Sequence, residues 1–348
     1  MRNSAPMYSV KYYSRFFSCL AAAGLALSLS ACGGGSDGSD TGSLSVGVTD
    51  LPVTEDVDVC VHFTGITLHH SDGDLIEIPY DPSTYDDATD CTDNVASGMP
   101  GSENNTVALS ALQGELSVQL VDTETVKAGR YNWIRLDFDS SLSYVLDSEG
   151  KQDLSCSSCD GQSGLKLNRG IVVPAGGEAD FMVDVELAKA LNKQSSGDYK
   201  LRPTLRLVDL SETGKVTGTV AASLIPRMVS DTDTGCKVYV YAGHDVIPDD
   251  YHDADNVLTS AKVLYDSTSM TYEYVAAFLP TDSTAGPTLY TVALTCDADD
   301  IDIDQNNDAA NPTGNDVIFT DETRSAQNVD VVTDQTTSVH FPPVSPEN

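Results

Sequence analysis

The sequence predicts an all-β protein made of two β-sandwich domains. Short runs of alternating apolar and polar residues, such as Leu44, Val46 and Val48, have the period of half-buried strands. These runs recur along the chain with turn residues between them, as the strands of a sandwich do. Only residues 186–194 combine good helix-forming residues with helical spacing, so one short helix is expected.

The first domain is predicted over residues 43–210. The polar segment 69–74 is typical of a turn and precedes the apolar run 75–78, which indicates a hairpin. The other expected strands cover residues 44–48, 57–63, 132–138, 181–185 and 201–208.

The single tryptophan lies in one of these strands. Asn132, Ile134 and the apolar residues after them form the expected core face, and Tyr131, Trp133 and Arg135 alternate with that face. We expect Trp133 to be buried, because large aromatic side chains usually pack inside. The alternative is an exposed platform for a sugar or a protein partner.

A second domain is predicted over residues 214–343, after the turn-like break at 211–214. Its strands are expected to be short and separated by turns, which indicates another β-sandwich. They cover residues 215–220, 237–241, 261–265, 272–279, 289–295, 317–320, 329–332 and 338–341.

The N-terminal segment has the composition of an export signal. Residues 1–15 carry three basic side chains and no acidic one, and an apolar run follows at 16–29. That run is shorter than the roughly 20 residues of a membrane-spanning helix. It ends at the sequence LSAC, residues 29–32, which resembles the lipobox of bacterial lipoproteins.

We therefore predict a lipoprotein signal peptide over residues 1–31 and lipidation, including palmitate, at Cys32. Residues 32–42 are rich in Gly, Ser and Asp and are expected to form a flexible tether. Gly33 stands where an aspartate would signal retention in the inner membrane, so a lipid anchor in the outer membrane is predicted. The alternative is an ordinary signal peptide that ends near a cysteine.

The charge balance restricts the partners. The chain has 53 acidic and 19 basic residues and a formal net charge of −34. Such a surface repels phosphate backbones, which argues against a nucleic-acid partner. A solvated surface and diffuse attraction for divalent cations are both consistent with it.

Six cysteines remain besides Cys19 in the signal and the lipidated Cys32, and an even number in an exported chain predicts three disulfides. Fifteen pairings are possible in principle. Pairing within each predicted domain favours Cys60 with Cys91, Cys156 with Cys159, and Cys236 with Cys296. The 156–159 pair has redox-motif spacing, but without a helix start a structural loop staple is the preferred interpretation.

Two acidic segments are candidate metal sites, with calcium as the candidate cofactor. The first offers alternating oxygen ligands of the kind calcium prefers, although it departs from an EF-hand at the glycine and glutamate positions. It comprises Asp297, Asp299, Asp300, Asp302, Asp304, Asn306 and Asp308. The second mixes imidazole and carboxylate and would suit a transition metal. It comprises His244, Asp249, His252 and Asp253. The alternative for both is a solvated polar loop.

Four segments of the first region, in this order, resemble the bacterial lipoprotein family catalogued as domain of unknown function 4382. They are GSLSVGVTDLP at 42–52, residues 57–68, AGRYNWIRL at 128–136 and YKLRPTLR at 199–206. The resemblance covers nearly all of the first region. It implies a lipoprotein and no particular activity.

The second region is similar to the carboxypeptidase-regulatory-like, transthyretin-type sandwiches. The similarity lies in GKVTGTV at 214–220 and in residues 274–290 around Leu279 and Pro280. It implies a non-catalytic module of the kind that accompanies adhesion, carbohydrate handling or surface display.

Three functions follow as hypotheses. The leading one is a non-catalytic binding or display module of the cell envelope, for a glycan or an envelope protein. The alternative is a calcium-dependent structural or adhesive surface protein. The third is an envelope enzyme without a recognisable motif. The sequence contains no Gly-x-Ser-x-Gly elbow, no His-Glu-x-x-His helix and no phosphate-binding glycine loop.

Overall fold

The computed structural model describes residues 40–50, 57–80, 91, 106–112, 114–157, 159, 164–202, 204–248, 257–296 and 326–341. Strands dominate these ranges, and the prediction of an all-β fold is confirmed. Among the described residues, the strands up to Asp209 pair only with one another, and the strands from Thr213 onward pair only with one another.

A four-stranded sheet forms one layer of the first region. Its order is β13, β10, β1, β5, with β1 parallel to β10 and antiparallel to β5. Alternation in β1 sends Leu44, Val46 and Val48 into the core, as predicted. The strands are β1 (Thr41–Asp50), β5 (Val118–Lys127), β10 (Glu178–Val185) and β13 (Leu205–Asp209).

A nine-stranded sheet forms the other layer, and one apolar core fills the space between the two sheets. The long strands β2 and β6 pair antiparallel at its centre, and β2 continues into β3 through the predicted hairpin turn. The strands are β2 (Asp58–His70), β3 (Leu75–Pro79), β4 (Thr106–Ala108), β6 (Gly129–Asp147), β7 (Gly150–Ser155), β8 (Leu165–Leu167), β9 (Ile171–Val173), β11 (Leu191–Lys193) and β12 (Tyr199–Leu201).

The second region is a curled seven-stranded sheet of order β19, β18, β15, β16, β17, β14, β20. β16 and β17 pair at only three positions, next to the turn that joins them, and the sheet folds over there. Side chains on both sides of this fold, from β14, β15, β17 and β18, therefore meet in one apolar core. The strands are β14 (Thr213–Val220), β15 (Asp233–Ala242), β16 (Val257–Asp266), β17 (Thr271–Pro280), β18 (Thr288–Thr295), β19 (Ala326–Val331) and β20 (Thr336–Ser338).

The helix predicted over residues 186–194 is wrong in length. Only one turn, α1 (Leu187–Ala190), is helical, and the chain then extends as β11. Leu191 pairs with Leu201 of β12, and Gly197 takes a left-handed conformation in the turn between the two strands. Strand pairing therefore overrides the helical propensity of this segment. The strand predicted at 317–320 lies outside the described residues.

The three disulfides of the structure are the pairs favoured from the sequence. Cys60 is joined to Cys91, Cys156 to Cys159, and Cys236 to Cys296. Cys156 and Cys159 are 2% and 6% exposed, so solvent thiols have little access to that bond. This burial supports the structural interpretation of the short 156–159 loop.

Asp147 ties the end of β6 to β11 and β12. Its Oδ2 accepts hydrogen bonds from the Tyr199 hydroxyl at 3.1 Å and from Lys193 Nζ at 3.3 Å. Its Oδ1 accepts from the Glu149 N–H at 2.9 Å and from Gln152 Nε2 at 3.2 Å. Burial works to raise the pKa of Asp147, but these hydrogen bonds outweigh it and hold the pKa below its usual value.

Candidate functional site

The outer surface of β3, β2, β6 and β8, on the side away from the core, carries a row of apolar and aromatic side chains. Leu75 of β3 is opposite His69 of β2, and His69 is opposite Trp133 of β6. Neighbouring strands lie about 4.8 Å apart, so this row runs about 10 Å across the sheet. We call this surface, with Lys166 of β8, the Trp133 face.

Trp133 lies on this outer surface, and the expectation that it is buried is wrong. Its side chain is half-buried. A β-bulge changes the orientation of the residues just before it in the chain: the register between β2 and β6 shifts between His69 and His70, so that Asn132 has no partner in β2. Tyr131 therefore points into the core together with Ile134, and Asn132, predicted on the core face, is exposed.

The indole of Trp133 is held by side chains from both neighbouring strands. The ring of His69 stacks on it with a centroid separation of 5.2 Å and an interplanar angle of 2°. Lys166 Nζ lies 4.1 Å from the centroid of the indole ring, which is a cation–π contact. Leu75, at the edge of the row, is 59% exposed. The row thus presents a pre-organised, half-exposed aromatic surface.

An ion pair adjoins the indole on the same surface. Arg135 Nε donates to Asp137 Oδ1, and Arg135 Nη2 donates to Thr67 Oγ1 at 2.8 Å. Thr67 in turn donates to Asp137 Oδ2 at 2.5 Å. Gly164 packs on the Arg135 stem so closely that a Cβ there would lie 2.5 Å from Cγ and Cδ. These contacts fix the polar part of the Trp133 face.

A cavity of about 520 Å³ opens beside Lys166. It lies where β8 and the residues after it approach β13 and the end of β10, so both sheets of the first region contribute to it. Its lining mixes cationic, apolar and amide side chains with one acidic residue. The lining residues are Lys166, Leu167, Asn168, Arg169, Glu186, Leu205, Arg206 and Leu207.

Two arginines of the cavity are anchored by protein groups. Arg206 lies opposite Asp184 on the neighbouring strand, and its Nη2 donates to Asp184 Oδ2 at 2.6 Å. Arg169 Nη1 donates to the Leu207 carbonyl at 3.0 Å. Arg206 is therefore charge-compensated, whereas Arg169 is held by a neutral acceptor.

The His69–Asp74 segment forms a polar turn held by ion pairs. Lys127 contacts both Asp72 and Asp74, and His70 Nδ1 lies 2.6 Å from Asp72 Oδ1. The hydrogen bonds from Lys127 and His70 hold the pKa of the Asp72 carboxyl well below its usual range. These contacts fix the hairpin turn next to His69.

The candidate metal residues are only partly within the described part of the chain. His244 Nε2 lies 3.0 Å from Asp330 Oδ1 and 3.3 Å from the Val329 carbonyl, so it is tied to β19. Within the described ranges, no three His, Cys, Asp or Glu side chains come together as metal ligands. The other candidates lie outside the described residues: Asp249, His252, Asp253, Asp297, Asp299, Asp300, Asp302, Asp304, Asn306 and Asp308.

The Cys32 anchor also lies outside the described residues. None of the helices in the ranges that the structure describes has the length and apolar composition of a membrane span.

Comparison with known families identifies the first region. The family model described as "Domain of unknown function (DUF4382)" matches residues 41–203. This part of the chain belongs to the DUF4382 family. The match includes β1, the β2–β3 hairpin and β6, so the Trp133 face lies within the DUF4382 domain. No curated protein matches the sequence.

Solved structures give only distant matches to the chain. An adhesin candidate from Bacteroides ovatus is 8% identical, with 92% of this chain and all of that chain covered and a TM-score of 0.20. The minor pilin GBS52 of Streptococcus agalactiae is 7% identical, with 88% and 99% covered and a TM-score of 0.18. At such TM-scores the alignments carry no argument about this chain.

Sequence reasoning missed the partners of Trp133. Lys166 and Arg169 follow the cysteine pair in a stretch without a strong strand pattern, and no local signal relates them to β6. One signal was present in the sequence: Arg135 is two residues after Trp133 in the same predicted strand, so both side chains are expected on the same side of that strand. The cavity residues of β13, and Glu186 after β10, lie on the other sheet's side of the core, and the packing of the two sheets brings them to Lys166.

Proposed function

We propose that this protein is a lipid-anchored cell-envelope module of two domains, residues 43–210 and 214–343, that binds a glycan on the Trp133 face and catalyses no reaction. The observation that carries the proposal is the half-exposed indole held between His69 and Lys166. The exposed part of the indole, with the exposed Leu75 and polar groups around it, suits a sugar ring, which has apolar C–H surfaces and a hydroxyl edge.

The polar groups beside the indole supply the other half of sugar recognition. Arg135 and Asp137 form a fixed pair of donor and acceptor groups next to Trp133, and the buried Thr67 hydroxyl holds both in place. Their mutual contacts hold them in place before a ligand arrives, which lowers the ordering cost of binding.

The proposal is tested by a glycan array with the full-length protein, followed by titration of the best neutral and acidic binders. Trp133→Ala is expected to weaken the affinity by about tenfold or more, as loss of a central aromatic contact does. Tyr265→Ala is the matched control, because Tyr265 is a half-buried aromatic whose ring packs at a tilt of 50° against Tyr272 in the other region. Absence of saturable binding to any glycan, or equal binding by Trp133→Ala, would refute the proposal.

The anchor is tested separately through Cys32. Cys32→Ala is expected to abolish incorporation of labelled palmitate and to release the protein from the membrane fraction. Cys19→Ala is the control, because Cys19 lies within the signal segment and is removed with it. Membrane retention and labelling of the Cys32→Ala protein would exclude a lipid anchor at this residue.

We keep calcium dependence of the acidic segment at 297–308 as a second proposal, since its alternating carboxylates suit a hard cation. A ligand at about 100 times its Kd adds roughly 2.7 kcal/mol to the free energy of unfolding. A thermal melt in EDTA is compared with melts in calcium chloride and in sodium chloride of equal ionic strength. Equal midpoints in the two salts would remove calcium from the proposal.

A further inference from the structure

We propose that the Trp133 face continues into a subsite for a carboxylate group, so that the preferred ligand is an acidic sugar. The inference rests on the function proposed above, because it specifies the ligand class of the same face. Lys166 is the link: its ammonium group lies over the Trp133 indole, and the same side chain lines the adjacent cavity. A ligand bound at the exposed part of the Trp133 side chain therefore has one end near the cavity.

The cavity has the volume of a small-ligand site. Its volume of about 520 Å³ falls within the roughly 300–1,000 Å³ of such sites. Leu205 and Leu207 give it an apolar wall. Asn168 offers an amide that can exchange hydrogen bonds with sugar hydroxyls. This combination suits a sugar ring better than a purely apolar group.

The positive charge of the cavity points to an anion. Lys166, Arg169 and Arg206 bring three of the 19 cationic side chains of the chain to one place. Arg206 is compensated by Asp184, but Lys166 contacts an uncharged ring and Arg169 an uncharged carbonyl. Both Lys166 and Arg169 are exposed, so a ligand carboxylate can reach them.

The high negative charge of the whole protein does not cancel this attraction. The Debye length is about 8 Å at physiological ionic strength, so carboxylates farther away are largely screened. A carboxylate bound beside Lys166 and Arg169 interacts mainly with the charged groups of the cavity lining, in which three cationic side chains outnumber the one acidic side chain, Glu186.

The experiment compares trigalacturonate with its fully methyl-esterified form by calorimetric titration of the full-length protein in a mild detergent. The two probes share one sugar backbone and differ in the carboxylate charge. We expect the acid to bind about tenfold more tightly than the ester, since a charge-assisted hydrogen bond is worth roughly one such factor. Added sodium chloride is expected to reduce this ratio.

Lys166→Met removes the charge and keeps most of the stem, and it is expected to bring the acid-to-ester ratio to within about twofold. Lys151→Met is the matched control. Lys151 also lies over an aromatic ring of this sheet, with Nζ 3.6 Å from the Tyr144 ring centroid, but at the other end of β6. Lys151→Met changes the net charge by the same amount as Lys166→Met, and it is expected to keep the full acid-to-ester affinity ratio.

The outcomes separate the two proposals. Equal binding of acid and ester, with both lost in Trp133→Ala, overturns the carboxylate subsite and leaves the glycan-binding face. Equal loss of the ratio in Lys166→Met and Lys151→Met overturns the subsite as well, because net charge alone would then explain it. An acidic hexapeptide that binds as tightly as trigalacturonate overturns the sugar preference. No binding of either saccharide, and none on the array, overturns both proposals.

Discussion

Substitution of Gly218 by alanine is expected to destabilise the second region strongly. Gly218 lies in β14, where its backbone passes directly over Val339. A Cβ at this position would overlap the Val339 carbonyl oxygen and would lie 2.7 Å from the carbonyl carbon and 2.8 Å from Tyr274 Cε1. Real Cβ atoms essentially never make contacts under 3.0 Å, so the backbone at 339 has to move.

The loss in the free energy of unfolding is the sum of two effects of that backbone movement. Overpacking of a core costs about 1–3 kcal/mol. The same carbonyl accepts a buried hydrogen bond from the Tyr274 hydroxyl at 2.9 Å, and its loss costs about 1–3 kcal/mol more. The free energy of unfolding should therefore fall by about 2–6 kcal/mol. At roughly 2–4 °C per kcal/mol, the melting temperature of this region should fall by about 5–20 °C.

Differential scanning calorimetry of the oxidised protein measures this shift. Gly47→Ala is the matched control, because Gly47 also lies buried in a strand, but an added Cβ would meet the flexible end of Met182, with Cε at 2.8 Å. That side chain can move aside, and a cost below about 1.5 kcal/mol is expected. Equal shifts for the two variants would refute the reasoning that the backbone contact at Val339 sets the cost.

Two further predictions concern stability. Asp147→Asn should lower the free energy of unfolding by about 1–3 kcal/mol at neutral pH, because its side chain is 3% exposed and fully hydrogen-bonded. Since folding lowers the pKa of Asp147, its stabilisation is present above the ordinary aspartate pKa of about 3.9 and is lost as the pH falls through the folded value. Urea titrations should therefore show the two proteins converging in acid, and a pH-independent difference would contradict the assigned role. Replacing both Cys236 and Cys296 by alanine should lower the free energy of unfolding by about 4 kcal/mol, because this disulfide closes a loop with a separation of 60 residues. Replacing both Cys156 and Cys159 should lower it by less than about 2 kcal/mol, because that loop has a separation of only 3. Similar losses in guanidinium titrations would contradict this loop-entropy argument.

Local pattern was sufficient for most of the strands. In β1 and β14 the alternation of side chains is regular, and the predicted faces are the buried faces. The hairpin at residues 69–78 also follows from near neighbours in the sequence, and the disulfide partners follow from keeping each pair within one predicted domain. The helix at 186–194 was overpredicted because propensity counts only local preference, whereas Leu191 gains a strand partner ten residues later.

The candidate site was less accessible to sequence reasoning. Alternation placed Trp133 and Arg135 on one side of β6, but it also placed Tyr131 there and could not detect the bulge at Asn132. A bulge arises from the register of two strands, and neither strand encodes it alone.

The sequence by itself determined the all-β class, the strand periods and the DUF4382 match of residues 41–203, and it favoured the cysteine pairs that the structure has. These properties depend on local alternation or on segments that can be recognised one at a time. Only the tertiary structure decided that Trp133 is half-exposed, that Lys166 covers its ring and that a cationic cavity adjoins both. The physical reason is that these contacts join strands distant in sequence, and their register is fixed by burial of the shared core between the two sheets.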